Sequence, residues 1–179
     1  MNVLTDCELQ GVTCMRILPK NLWHNPLIML GSSNGEVQIY NAKDYRAFTR
    51  AISLSIQPIC DIQFTPSAQH MIVAYSTGQV NLHQLDQSLT LNYIAQLQSD
   101  FTAGIFQKVC VFSLDGCDYA CMLGNGPNMV NIKRIAPRGQ PFEVFREFDA
   151  ACNIYDFEVH RSLDYLLVLT ELGRVYVYK

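Results

Sequence analysis

The chain has 179 residues, 49% of them hydrophobic and 16% charged, enough apolar content to bury a core and too much for wholesale disorder. A net charge of −3, from 13 basic and 16 acidic residues, leaves no electrostatic footprint for nucleic acid or an anionic membrane. No apolar run approaches the roughly 20-residue length of a membrane helix, and the opening MNVLTDCELQ has neither the basic start nor the apolar stretch of a secretory signal.

In chain order, residues 3–9 have strand potential but no repeat of their own. Residues 12–18, VTCMRIL, alternate well enough for a half-buried strand. A loop holding Pro19, Trp23, His24 and Pro26 then leads to residues 27–41, LIMLGSSNGEVQIYN. This stretch reads as an apolar strand, a tight turn at Asn34-Gly35 and a second strand alternating Val37 and Ile39. Residues 46–54 are rich in β-compatible residues and are expected as a further strand. The second unit is a strand over 58–67, a strand–turn–strand over 71–85 with its turn at Thr77-Gly78, and an outer strand over 90–97. A third follows as 107–116, 119–135 and 142–148, and a fourth as 153–164 and 165–179.

Aligning the second hairpin strands gives one template. Val37, Val80, Val130 and Val175 each have an aliphatic residue two places on, and they stand 43, 50 and 45 residues apart. Gly35, Gly78, Asn128 and Gly173, two places before each valine, are expected to supply the left-handed turn residue. The upstream strands repeat as well: Val12/Met15/Ile17, Ile59/Ile62/Phe64 and Ile154/Phe157/Val159 share one spacing. A period of four short strands that cannot bury its own faces predicts propeller blades stacked on their neighbours.

With the residues aligned, the chain resembles the WD40-repeat β-propeller family. Ile59–Ser67 and Phe112–Gly116 look like its first strand and turn, Gly31–Gly35 like its second element, and Val37–Asn41 like its third. The likeness spans residues 12–179, with departures. The Trp-Asp positions hold Tyr40-Asn41, His83-Gln84, Lys133-Arg134 and Tyr178-Lys179, and no Gly-His dipeptide precedes a first strand. The family's polar network is therefore not expected, and apolar packing must hold each blade. The resemblance implies an all-β fold of about four four-stranded blades, at 12–54, 58–97, 104–148 and 152–179, expected to be incomplete as a ring on its own. Residues 1–10 are a candidate closing strand that would instead make a four-bladed ring.

Residues that could carry chemistry are few. His24, His70, His83 and His160 are spread over three units without ligand spacing, with His83 placed at the polar or outer end of a strand. Cys117 and Cys121, four apart, read as buried small hydrophobes rather than a metal pair. Asp61 and Asp156 occupy matching template positions two blades apart, too far for a carboxylate pair, and are expected to accept local hydrogen bonds. The serines lack a Gly-x-Ser-x-Gly setting, and no phosphate loop is present. No catalytic, cofactor or metal site is expected. Partner-binding candidates are Trp23 and His24 in the long loop and the basic group Lys133, Arg134 and Arg138. Seven cysteines without a Cys-x-x-Cys pair point to free thiols in a reducing compartment, cytosol or nucleus. The family likeness then implies a non-catalytic scaffold binding protein subunits or peptides. The alternative is a small-molecule or phospho-ligand binder, or a propeller enzyme, using the central channel or the basic group.

Overall fold

The computed structural model describes residues 9–18, 26–44, 46, 47, 49–98, 108–123, 126–135, 143–160 and 165–179. Their regular structure is entirely strand: β1 (Val12–Ile17), β2 (Leu27–Ser32), β3 (Glu36–Asn41), β4 (Ile52–Ser53), β5 (Ile59–Phe64), β6 (Met71–Tyr75), β7 (Val80–Leu85), β8 (Leu91–Gln98), β9 (Val109–Leu114), β10 (Cys117–Leu123), β11 (Met129–Arg134), β12 (Val144–Asp149), β13 (Ile154–His160), β14 (Tyr165–Thr170) and β15 (Val175–Tyr178). They form antiparallel meanders in chain order: three sheets of four strands (β1–β4, β5–β8, β9–β12) and one of three (β13–β15). These are four propeller blades, innermost strands β1, β5, β9 and β13. The candidate closing strand at 1–10 falls outside the described residues except for its last two positions.

Each seam between blades has its own core. Leu27, Met29, Val37 and Ile39 of blade 1 meet Ile59, Ile62, Met71 and Val73 of blade 2. Ile72, Ala74, Val80 and Leu82 meet Val109, Val111, Ala120 and Met122 across the second seam. Cys121, Leu123, Val130 and Ile132 meet Ile154, Phe157, Leu166 and Val168 across the third. The strand period of two sends alternate residues to opposite neighbours, so an interior blade is buried on both faces, and β6 is buried at all five positions. Each large side chain so buried contributes about 1.5–3 kcal/mol. Blade 2 touches blade 1 and blade 3 through β5, and β13 touches β9; among the described residues no packing of that extent joins β13 back to β1.

The turns follow the expected chemistry with one exception. Gly35, Gly78 and Gly173 are left-handed, with φ of 75°, 91° and 72°. Asn128 is not. Its hairpin carries a longer connection in which Met129 N–H donates to Gly126 O across Pro127, and proline presets a negative φ there. The β9–β10 hairpin closes on two left-handed residues, Asp115 and Gly116. Residues 46–54 differ from expectation, giving only the two-residue β4 and a bridge from Ala47 to Tyr40. Side-chain bonds replace the ladder: Thr49 Oγ1 accepts from Ile39 N–H, and Gln38 Nε2 donates to Thr49 O.

Candidate functional site

The innermost strands converge on a cavity of about 340 Å³ lined in part by Thr13, Arg16, Asp61, Lys108 and Asp156. Local backbone irregularity aims these groups. β1, β5 and β13 each carry a register shift just before Cys14, Asp61 and Asp156, leaving Thr13, Cys60 and Tyr155 as the extra residues. A β-bulge bends its strand and re-aims the following side chain. Asp61 of blade 2 and Asp156 of blade 4, with blade 3 between them, both line this cavity.

Asp61, only 5% exposed, is bonded on every side. Its Oδ1 accepts from Arg16 Nη2 of blade 1 at 2.6 Å and from the Ile62 amide at 2.9 Å. Its Oδ2 accepts from the Val109 amide of blade 3 at 3.1 Å and from Gln63 Nε2 at 3.2 Å. Asp156 repeats the arrangement two blades later, taking the Phe157 amide at 2.8 Å and Lys108 Nζ of blade 3 at 3.0 Å. Lys108 also bonds Glu158 at 2.8 Å. Both carboxylates thus accept local and neighbouring-strand hydrogen bonds, and together they bridge all three seams. Sequence reading missed Arg16, Lys108 and Glu158; Arg16 and Glu158 share one template position, also held by Gln63, while Lys108 stands just before β9 and outside the aligned strands.

The chemistry open to this cluster is narrow. Burial works against the Lys108 charge, but Glu158 and Asp156 outweigh it and raise its pKa, so the amine is a permanent cation rather than a base or nucleophile. Burial and the Asp61 charge raise the thiols of Cys14 and Cys60, which keeps them protonated. Among the described residues no group of three or more His, Cys, Asp or Glu could hold a metal.

The other candidates lie elsewhere. Trp23, His24 and Arg138 fall outside the described residues. Lys133 and Arg134, adjacent on β11, face opposite ways: Lys133 Nζ is half-buried against Leu97 O of blade 2, and exposed Arg134 contacts Cys117 Sγ at 2.9 Å. Burial lowers the Lys133 pKa. Cys121 is fully buried and Cys117 half-buried, both free thiols. His83, expected at a polar or outer end, is buried, with its ring edge-on to Tyr93.

No family model matches the chain, and neither does any curated protein. Solved structures do. The β-propeller domain of Cps50 (Swd1) from Myceliophteria thermophila superposes with a TM-score of 0.67 at 16% identity, over 93% of this chain and 53% of its own. The C-terminal WD40 domain of Sif2 gives 0.67 at 15% identity, over 94% of this chain and 43% of its own. The fold is a β-propeller. A putative 6-phosphogluconolactonase from Bacteroides uniformis also superposes, at 0.73 and 16% identity, over 94% of this chain and 50% of its own. The propeller described here therefore spans about half the length of the chains it matches.

Proposed function

We propose that this propeller segment is a non-catalytic scaffold, presenting loops and blade edges to protein subunits or peptides of a larger complex in the cytosol or nucleus. One observation carries the reading: the charged groups at the centre are consumed in joining blades. Arg16 and Lys108 are each held by carboxylates of the next blade. An acid–base site needs a group poised near working pH, and the central lysine and thiols are shifted away from it. Two of the matched structures are a β-propeller domain and a WD40 domain, which supports the same reading. Within it, Arg134 is the solvent-facing one of the two described members of the basic group, Lys133 and Arg134, while Arg138, Trp23 and His24 stay candidates from the sequence. Full-length tagged protein recovered from its own cells in a defined larger complex, with crosslinks at loops and blade edges, is the expected outcome.

A ligand-binding reading has a specific observation in its favour, the central cavity carrying Arg16 and Lys108, together with the similarity to a putative 6-phosphogluconolactonase. Recovery of the protein alone, with thermal stabilisation by a phosphorylated metabolite lost in Lys108→Ala, would replace the scaffold with that reading.

A further inference from the structure

Charge is spread unevenly along this chain. Residues 51–99 make up more than a quarter of its length, yet hold only two of its 13 basic and 16 acidic side chains, Asp61 and Asp86. Both are already engaged. Asp61 is buried at the centre, and Asp86 caps its own turn, its Oδ1 accepting from the Ser88 and Thr90 amides. Every residue of the outer strand β8 is uncharged, and Gln84, Asn92, Tyr93 and Gln96 stand exposed along that edge of blade 2.

The outer strand of a blade is a sheet edge, and edges are blunted by shortness, charge or bulges, because unpaired ladder groups recruit another strand. β4 is two residues long. β12 carries Arg146, Glu147 and Asp149 together with one register shift. β8 has eight residues, the longest of the described strands, and no charge; two register shifts, with Ile94 and Leu97 as the extra residues, blunt it instead. The edge is thus closed to strand addition while its side chains stay uncharged, so recognition falls to those side chains. Tyr93 is the largest of them, 57% exposed, with its ring edge-on to buried His83 at 5.7 Å. An aromatic ring among amides, with no charge nearby on its strand, has the composition of an interface centre, where tyrosine is enriched and charge depleted. Holding the ring in place before binding also lowers the entropy that association would cost.

We propose that the outer edge of blade 2 docks a protein subunit whose own contact face is uncharged, with an apolar socket for the Tyr93 ring and hydrogen-bonding groups for Gln84 and Asn92. This rests on reading the chain as a scaffold, and it names the surface and the chemistry of the partner. The lack of charge decides the occupant. A nucleic acid or an anionic membrane needs cations, and this edge offers none of its own. Docking here is also distinguishable from docking at Arg134, where contacts would weaken as salt rises.

The tagged full chain, recovered from its own cells with its bound subunit, is washed at about 0.1 M and at about 1 M salt, where screening shortens from about 10 Å to about 3 Å. The subunit should be retained equally at both, because no ion pair holds it. Tyr93→Ala should weaken its binding about 30-fold or more, as loss of an interface hot spot does. Gln96→Glu, which leaves the His83–Tyr93 contact in place, should weaken it about tenfold by burying an unpaired charge, and carries the test if Tyr93→Ala fails to fold. Arg134→Glu should leave binding unchanged, with the circular dichroism spectrum of the unaltered protein kept in each folded variant. Release of the subunit by high salt or by Arg134→Glu, or its retention in both edge variants, overturns the proposal and leaves the scaffold standing. Recovery with no subunit overturns both, and binding to neutral phosphatidylcholine vesicles in place of a subunit assigns the edge to a lipid surface instead.

Discussion

His83 shows what double-sided burial does to one side chain. It is 3% exposed, neither ring nitrogen has a hydrogen-bond partner, and desolvation lowers its pKa to about 4. The folded chain therefore keeps the ring neutral at pH values where the unfolded chain, titrating near 6.5, binds a proton. Stability is complete above about pH 6.5 and falls as the pH drops toward 4, by about 3 kcal/mol in all. Urea melts at pH 7.5 and 4.5 should show this loss, and His83→Gln should remove that part of it; parallel slopes would refute the assignment. At the centre, Asp61→Ala strands the buried Val109 amide and leaves Arg16 unpaired, an expected cost of about 3 kcal/mol by denaturant unfolding. Arg16→Ala should cost about 1 kcal/mol, because its side chain is 39% exposed and Asp61 keeps its amide donors. The burial of His83 was not legible in sequence: a period of two assumes one wet face, and the strand was read with His83 toward water. The polar–apolar alternation of Asn81, Leu82 and His83 is real, yet all three are buried because blade 2 has neighbours on both sides.

At the scale of elements, the hairpins were the most legible feature because their chemistry is local. Gly35 and Gly173 share a left-handed φ but differ in surroundings. A Cβ at Gly35 would stand 2.1 Å from Ser55 O, whereas one at Gly173 meets nothing within 4 Å. Gly35→Ala should thus cost about 3 kcal/mol or more and Gly173→Ala about 1–2 kcal/mol, read as shifts in the urea midpoint. The bulges in β1, β5 and β13 had no sequence signature, since the extra residues are a threonine, a cysteine and a tyrosine with nothing in common. That is why the aspartates could be aligned but not aimed. β4 was overread because β-propensity ignores competition: Thr49 and Gln38 satisfy the backbone that a longer strand would have paired. The outer edge of β15 carries no ladder partner among the described residues, so its outward amides should exchange with solvent well before those of β6, by hydrogen-exchange mass spectrometry.

Over the whole molecule, buried thiols report on the seams. Cys110 and Cys121 belong to the core between blades 3 and 4, and burial pushes Cys110 up to about 12 and raises Cys121 well above the usual thiol range. Neither should react with a thiol reagent until that seam opens. Lys108→Ala removes a partly exposed link across it, worth about 1 kcal/mol, and should speed Cys121 labelling about fivefold. An unchanged rate would mean that apolar packing alone holds the seam. Blade number and order were legible because each repeat states its own strands; convergence at the centre was not, because it arises only once the blades are fanned. Asp61 gives that fan a further meaning. It ties β1, β5 and β9 within 2.6–3.1 Å, while each four-stranded blade reaches outward by three interstrand spacings, about 14 Å. In a wheel the angle between spokes is most sensitive at the axle, where a fraction of an ångström subtends the largest arc. The broad seams set how firmly adjacent spokes hold, and one short carboxylate at the axle fixes the spacing of the three inner strands from which their angle opens.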